Sequence, residues 1–240
     1  MTTDTTLFIS DLHLASDQPQ LTALFSRFLQ QQAKHCSALY ILGDLFDAWL
    51  GDDLIQSFQR QIINEIKQIS SAIPVYFMAG NRDFLIGEQF AKLSGVHLLN
   101  EPAIINLYGI PTLLMHGDSL CLEDKSHLRF RRLSHSRFMR GIYYSFPISW
   151  RLALANKIRT NSYKKNLRKG IRPATPSEIP RIMRQYNVSQ FIHGHTHLPG
   201  IQYLQVENQW HSRHILSDWG PKCHYLMANN QGRLIHHYMI

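Results

Sequence analysis

The stretch Leu7-Phe8-Ile9-Ser10-Asp11-Leu12-His13 runs a short apolar segment straight into a carboxylate and an imidazole. The layout recurs four more times. Leu39-Tyr40-Ile41-Leu42 ends in Gly43-Asp44, and Val75-Tyr76-Phe77-Met78 leads to Gly80-Asn81-Arg82-Asp83. Thr112-Leu113-Leu114-Met115 ends in His116-Gly117-Asp118, and Gln190-Phe191-Ile192 ends in His193-Gly194-His195-Thr196-His197. Each run has the length and composition of a buried strand. Strands of one sheet that all end in ligands converge on one edge of that sheet. Oxygen and nitrogen ligands gathered there suit hard or borderline divalent metals, and pairs of such metals catalyse phosphoester hydrolysis.

Working outward, the 240 residues, 44% of them hydrophobic, suffice for one α/β domain with an insertion. The start, Met1-Thr2-Thr3-Asp4, has no secretory character, and no window approaches the 18 uninterrupted apolar residues of a membrane span. The three widely spaced cysteines, Cys36, Cys121 and Cys223, read as reduced thiols of a cytosolic protein. The net charge of +8 is unevenly spread: residues 123–172 hold 14 of the 25 Lys and Arg and only 2 acids. That asymmetry implies an anionic partner.

Helices are expected over Pro19–Lys34, Leu54–Ser71, Phe84–Leu93 and Thr175–Tyr186, the first from the apolar face Leu21, Leu24, Phe25, Phe28 and Leu29. Strands are expected over Tyr203–Glu207, His214–Asp218, His224–Met227 and Leu234–Met239. Between the last two ligand-bearing runs the chain becomes helical, basic and aromatic. The division expected is a core of residues 1–122 and 171–240 with a helical cap, or lid, inserted at 123–170.

Asp11 and His13, two residues apart in a continuing strand, point to one face and can chelate one ion. Asp44 can bridge two ions, one per oxygen. The Asn81 carbonyl ligates without adding charge, His195 and His197 can each serve a different ion, and His116 completes the set. A lone histidine after a strand is usually a hydrogen-bonded residue, and a lone aspartate after glycine is usually a turn. Seven such residues in five like motifs reverse both expectations.

The order D-x-H, G-D, G-N-R-D, H-G-D, G-H-T-H resembles the calcineurin-like metallophosphoesterase superfamily. The resemblance implies two mixed β-sheets in a sandwich flanked by helices (αββα), with an inserted helical cap. It also implies one metal on Asp11, His13 and His197 and another on Asn81, His116 and His195, with Asp44 bridging. Arg82 stands where the superfamily commonly has a histidine. Together with Tyr40–Asp53, Gly80–Gly87 and His116–Cys121, this resembles the branch that hydrolyses UDP-2,3-diacylglucosamine in lipid A synthesis.

That branch implies a dinuclear metal-dependent pyrophosphatase, usually with Mn²⁺. Water attacks the α-phosphorus, giving UMP and 2,3-diacylglucosamine 1-phosphate. The resemblance implies catalytic roles for Asn81, Arg82 and His116. It implies substrate contacts at Asn81, Arg82, Asp124, Ser162, Asn166, Lys169 and His197, with Arg159 and Lys165 nearby. It further implies a monomer bound peripherally to the anionic cytoplasmic face of a Gram-negative inner membrane, with a lipid rather than nucleic acid as partner.

Three places depart from the branch pattern: Ala79 for a histidine, the stretch Gly170–Thr175, and Ser217 for a glycine. Arg82 also has a simpler reading, a salt bridge to Asp47 or Asp83. Arg131-Arg132 and Lys164-Lys165 can be solvated helix faces, and the cap aromatics can form a core of their own. Two rival functions are a general phosphodiesterase or nuclease, with basic residues on phosphates and aromatics on bases, and a metal-bound scaffold without catalysis.

Overall fold

The computed structural model describes residues 4–123, 125–134, 136–153 and 173–240. Two sheets stack face to face. The first has six strands in the order β11-β10-β1-β2-β3-β4, formed by Leu234–Met239, Cys223–Ala228, Thr6–Ile9, Ala38–Leu42, Val75–Met78 and His97–Leu99. The second has five, in the order β5-β6-β7-β9-β8, formed by Ala103–Leu107, Ile110–Met115, Gln190–His193, Gln209–Ile215 and Gly200–Val206. Both are mixed: β1 to β4 run parallel, with β10 antiparallel to β1, while β6, β7 and β9 run parallel between antiparallel β5 and β8.

Strand alternation builds the layers. Phe8, Tyr40, Leu42 and Met78 of the first sheet meet Leu114 and Ile192 of the second. The intervening residues Leu7, Ile9, Leu39, Ile41, Val75 and Phe77 face outward onto α1 (Pro19–Gln31) and α2 (Ser57–Ser70). On the opposite side, Leu113, Met115 and Phe191 pack with Ile179, Ile182 and Met183 of the helix Glu178–Tyr186. The result is the expected four-layer αββα sandwich.

The ligand-bearing runs are divided between the sheets. β1, β2 and β3 belong to the first, and β6 and β7 to the second, so the motifs converge between two sheets rather than along one edge. The third helix, α3 (Glu88–Ser94), starts later than its apolar pattern suggests. The Asp52 carboxylate accepts the N–H groups of Gly87, Gln89 and Phe90 and fixes the start there. The strand expected at His214–Asp218 is the end of β9, which begins at Gln209. β4 and β5 were not expected. They are half-exposed edge strands with no continuous buried run. Between β6 and β7 lie α4 (Lys125–Ser134), α5 (Arg137–Ser145) and a helical turn at residues 148–153.

A chain of histidines, His214 and His224 buried and His236 half-buried, ties the sheets at their other side. His236 of β11 meets His224 of β10 at 2.9 Å and His214 of β9 at 3.4 Å. Burial, reinforced by His236, pushes His214 and His224 down to about 4. Both stay neutral in the fold, while the unfolded chain binds protons near pH 6.5. Their contribution is therefore complete above about pH 6.5 and is lost as pH falls toward 4, on the order of 3 kcal/mol for each. A His214→Gln/His224→Gln variant is expected to show a flatter fall of Tm between pH 6.5 and 4 than the parent, as measured by thermal melts across that range.

Candidate metal centre

The motif residues leave their strands on unusual backbone. Asp11, His13, Asp44, His195 and His197 all have φ between 50° and 64°, and they make up five of the nine non-glycine positive-φ residues among those described. Asp11 and His13 are thus not on a continuing strand. Each takes a left-handed turn that costs free energy and persists where surrounding structure holds it, as happens at functional sites. The holding contacts are present: Asp11 N–H donates to Gly43 O (3.0 Å), His13 N–H to Asp44 O (2.9 Å) and Gly194 N–H to His116 O (2.9 Å). Gly80 is required by space, since a β-carbon there collides with the Asp44 carboxylate.

All seven predicted ligands come together. Asp11, His13 and His197 present donor atoms within 4.8 Å of one another, and so do Asp11, Asp44 and His116. His197 Nε2 lies 3.3 Å from Asp11 Oδ1 and 3.4 Å from His13 Nε2. The Asn81 amide oxygen lies 3.0 Å from His116 Nε2 and 2.9 Å from His195 Nδ1. Asp44 sits between the halves, with Oδ1 3.6 Å from His116 Nε2 and Oδ2 3.8 Å from His13 Nδ1. Asp11 also faces both halves, a placement its sequence motif does not announce.

Two observations test the fit to a divalent cation. Asp11 Oδ1 and His13 Nδ1 are buried without a hydrogen-bond partner, and such atoms are costly unless something binds them. His116 Nδ1–H donates to Leu42 O at 2.9 Å, which turns Nε2 and its lone pair toward Asn81 and Asp44. That is the arrangement of a metal-ligating histidine. The residues fit divalent metal ions.

The electrostatics agree. Burial alone pushes Asp11 up, but the close approach of His197 Nε2 and the charges of the surrounding histidines hold it well below the usual carboxylate range. Burial pushes Asp44 up to about 7. Burial opposes the charge on His116, yet Asp44, Asp11, Asp118 and Glu101 raise it to about 10. The cluster attracts positive charge strongly enough to keep a proton where a cation fits.

The calcineurin-like phosphoesterase model matches residues 5–199. A Photobacterium profundum protein named UDP-2,3-diacylglucosamine hydrolase is 45% identical over 218 residues, covering 90% of this chain and 89% of the relative. A relative of the same name from Coxiella burnetii (strain Dugway 5J108-111) is 47% identical over 216 residues, covering 89% of each chain. Another from Pseudomonas fluorescens (strain SBW25) is 42% identical over 229 residues, covering 94% of this chain and 92% of the relative. The chain belongs to the UDP-2,3-diacylglucosamine hydrolase family of calcineurin-like phosphoesterases.

In this member of the hydrolase family the structure adds positions that the sequence motifs leave without a role. Asp83 is fully buried and accepts the N–H groups of Gly80 (2.7 Å), Leu45 (2.8 Å) and Asp44 (3.3 Å), locking two ligand loops together. It does not pair with Arg82. Arg82 lies instead 3.5 Å from Asp47 at the rim of the centre. Asp118 of the His116-Gly117-Asp118 motif receives Arg131 Nε at 2.9–3.0 Å, and Glu101 takes the same guanidinium, so Arg131 is an anchor of α4 rather than a solvated charge. Asp218 approaches His197 Nδ1 at 3.5 Å. Ala79 packs against the helix-side core, and Ser217 N–H donates to His224. Asp83 and Asp118 stand inside the ligand motifs, the one signal that could have marked them. Asp124, Arg159, Ser162, Lys165, Asn166 and Lys169 lie outside the described residues.

Proposed function

We propose that this hydrolase cleaves the pyrophosphate bond of UDP-2,3-diacylglucosamine by water attack on the α-phosphorus, releasing UMP and 2,3-diacylglucosamine 1-phosphate for lipid A synthesis. The observation that carries the reading is the ligand cluster joined through Asp118 and Arg131 to helices with an exposed apolar face. Phe138 is 75% exposed, Trp150 67% and Leu133 55%. Tyr143 and Arg151, by contrast, are spent on docking: Tyr143 O–H donates to Leu50 O, and buried Arg151 pairs with Asp53 beneath Tyr143 and Tyr144. The aromatics therefore do not all form a core of their own. Segment 123–170 acts as the cap that receives acyl chains, and its exposed basic residues, Lys125, Arg129 and Arg132 among those described, face the anionic inner membrane from the cytoplasmic side. Among the described residues no helix is long and apolar enough to cross a membrane.

Asp11, His13 and His197 hold one ion, and Asn81, His116 and His195 a second, with Asp44 between them. Two divalent ions, Mn²⁺ on this reading, supply Lewis-acid polarisation of phosphate oxygens and lower the pKa of water. The side chains do the rest. The neutral Asn81 carbonyl leaves the positive charge of its site undiminished. His116, fixed by Leu42 O, keeps Nε2 free of its own proton when a cation is bound. Arg82, steadied by Asp47, forks onto phosphate oxygens. Asp124, Ser162, Asn166, Lys169 and His197 bind the remainder of the substrate.

Arg82→Ala is expected to lower kcat/KM by about 10²-fold, the usual cost of losing one preorganised donor to developing charge, with metal binding unchanged by calorimetry. The function itself is tested by comparing three substrates with Mn²⁺: UDP-2,3-diacylglucosamine, UDP-N-acetylglucosamine and a single-stranded oligonucleotide. Hydrolysis confined to the first supports the proposal. Comparable cleavage of the oligonucleotide replaces it with the phosphodiesterase reading.

A further inference from the structure

Beside the His195-Thr196-His197 loop lies a cavity of about 220 Å³, walled by Pro199, Ile201 and Ile215 and carrying the polar groups of Thr196, Gln202 and Arg213. It falls below the ~300–1,000 Å³ of sites that enclose a whole drug-sized ligand, so it suits one moiety of a larger molecule. Arg213 is buried within β9. Its Nε donates to His193 Nε2 at 2.9 Å and its Nη1 to Gln202 Oε1 at 2.7 Å. Among the described residues Nη2 has no partner and no carboxylate pairs with this guanidinium. A buried cation without an anion is costly, and so is a buried hydroxyl without a partner. Thr196 Oγ1 is such a hydroxyl.

The unspent groups are mostly donors. His193 Nδ1–H donates to Gly194 O, which leaves Nε2 to accept from Arg213. With the Gln202 carbonyl taken by Arg213, its amide N–H groups remain. A small cavity with apolar walls and donors accepts a flat ring bearing carbonyl oxygens. Thr196 lies between two of the metal-site histidines, so the cavity shares a loop with the centre where the phosphorus is attacked. The nucleoside hangs from that same phosphorus.

We propose that this cavity seats the uracil nucleoside of the nucleotide half, with Arg213 and Gln202 donating to the base carbonyls and the Thr196 hydroxyl completing the set. The proposal rests on the substrate reading above and assigns the part of the substrate that the cap does not take. It predicts discrimination: cytosine presents an amino donor where uracil presents O4, so it places donor against donor.

The test is titration calorimetry of the Mn²⁺-loaded enzyme with UMP, CMP and ribose 5-phosphate, and with 2,3-diacylglucosamine 1-phosphate as the control ligand. UMP is expected to bind about tenfold tighter than CMP or ribose 5-phosphate, the scale of one or two lost hydrogen bonds. Gln202→Ala, at an exposed position, is expected to erode that preference severalfold, and Arg213→Lys about tenfold, both with unchanged affinity for the lipid product. Equal binding of UMP and ribose 5-phosphate, or wild-type UMP/CMP ratios in both variants, overturns the proposal. If UMP shows the selectivity but UDP-2,3-diacylglucosamine is not hydrolysed, the substrate reading fails and the cavity assignment stands. If the lipid is hydrolysed but UMP binds without selectivity, the substrate reading stands and the cavity assignment fails.

Discussion

Asp44→Asn is expected to reduce metal-dependent UMP release by about 10³-fold or more while the protein stays folded. Asp44 and Asp11 are the two anions among the seven ligands, against which two divalent cations must be neutralised. The Asp44 carboxylate is buried and lies between the two ligand halves, 3.6 Å from His116 Nε2 and 3.8 Å from His13 Nδ1. An asparagine keeps the volume and one oxygen for the Arg82 N–H, which donates to Asp44 Oδ1 at 2.8 Å. It loses the charge and turns an amide N–H₂ toward cation-binding atoms. Losing several kcal/mol of charge stabilisation in a low-dielectric site, at about 1.4 kcal/mol per factor of ten, gives that magnitude. Two readings separate the cause. The rise in Tm on adding Mn²⁺ is expected to shrink, whereas the Tm of the metal-free variant is expected to stay within a few degrees of the parent. A collapsed metal-free Tm would assign Asp44 to folding rather than to metal.

Asp83→Ala is expected to cost at least about 3 kcal/mol of stability and most of the activity, although Asp83 touches neither metal nor substrate on this account. Its oxygens accept four N–H groups, those of Asp44, Leu45, Phe46 and Gly80, from two ligand loops in a fully buried place. Truncation strands all four donors, at about 1–3 kcal/mol each for the three closer ones. Burial pushes this carboxyl up, and the N–H groups of Gly80, Leu45 and Phe46 hold it back. Asp83→Asn retains an acceptor and is expected to lose about half as much. Urea unfolding of the metal-free proteins reads both values, and a loss under 1 kcal/mol for the alanine variant would refute this role.

These two aspartates mark what sequence reading reaches here. Asp44 was legible because a ligand after a buried run repeats at Asp11, Asn81, His116 and His195, and repetition outweighs the ordinary reading of any one of them. Asp83 stands two residues from Asn81 in the same motif, but its partners are backbone N–H groups brought close only by folding. The same holds for Arg131. Its charge looked like a solvated helix face until Asp118 and Glu101 arrived from elsewhere in the chain. The buried strands β1, β2, β3, β6 and β7 announced themselves as apolar runs, whereas β4 and β5 lie at sheet edges, where half-exposure removes that signal. The left-handed backbone at Asp11, His13, Asp44, His195 and His197 has no sequence signature, because none of these residues is glycine. The runs read as strands of one sheet; the family resemblance implied a two-sheet sandwich, but the division of the motifs between its sheets is visible only in the structure, because nothing in an apolar run says which sheet it joins.

On this geometry the cluster hydrolyses a UDP-linked lipid when divalent metal is bound. The most direct measurement is UMP release from UDP-2,3-diacylglucosamine by metal-free protein, before and after adding Mn²⁺, with Asn81→Ala alongside. The expected result is no release without metal, restoration by Mn²⁺, and no restoration in the variant. Release that persists in chelator, or that survives equally in Asn81→Ala, would contradict it.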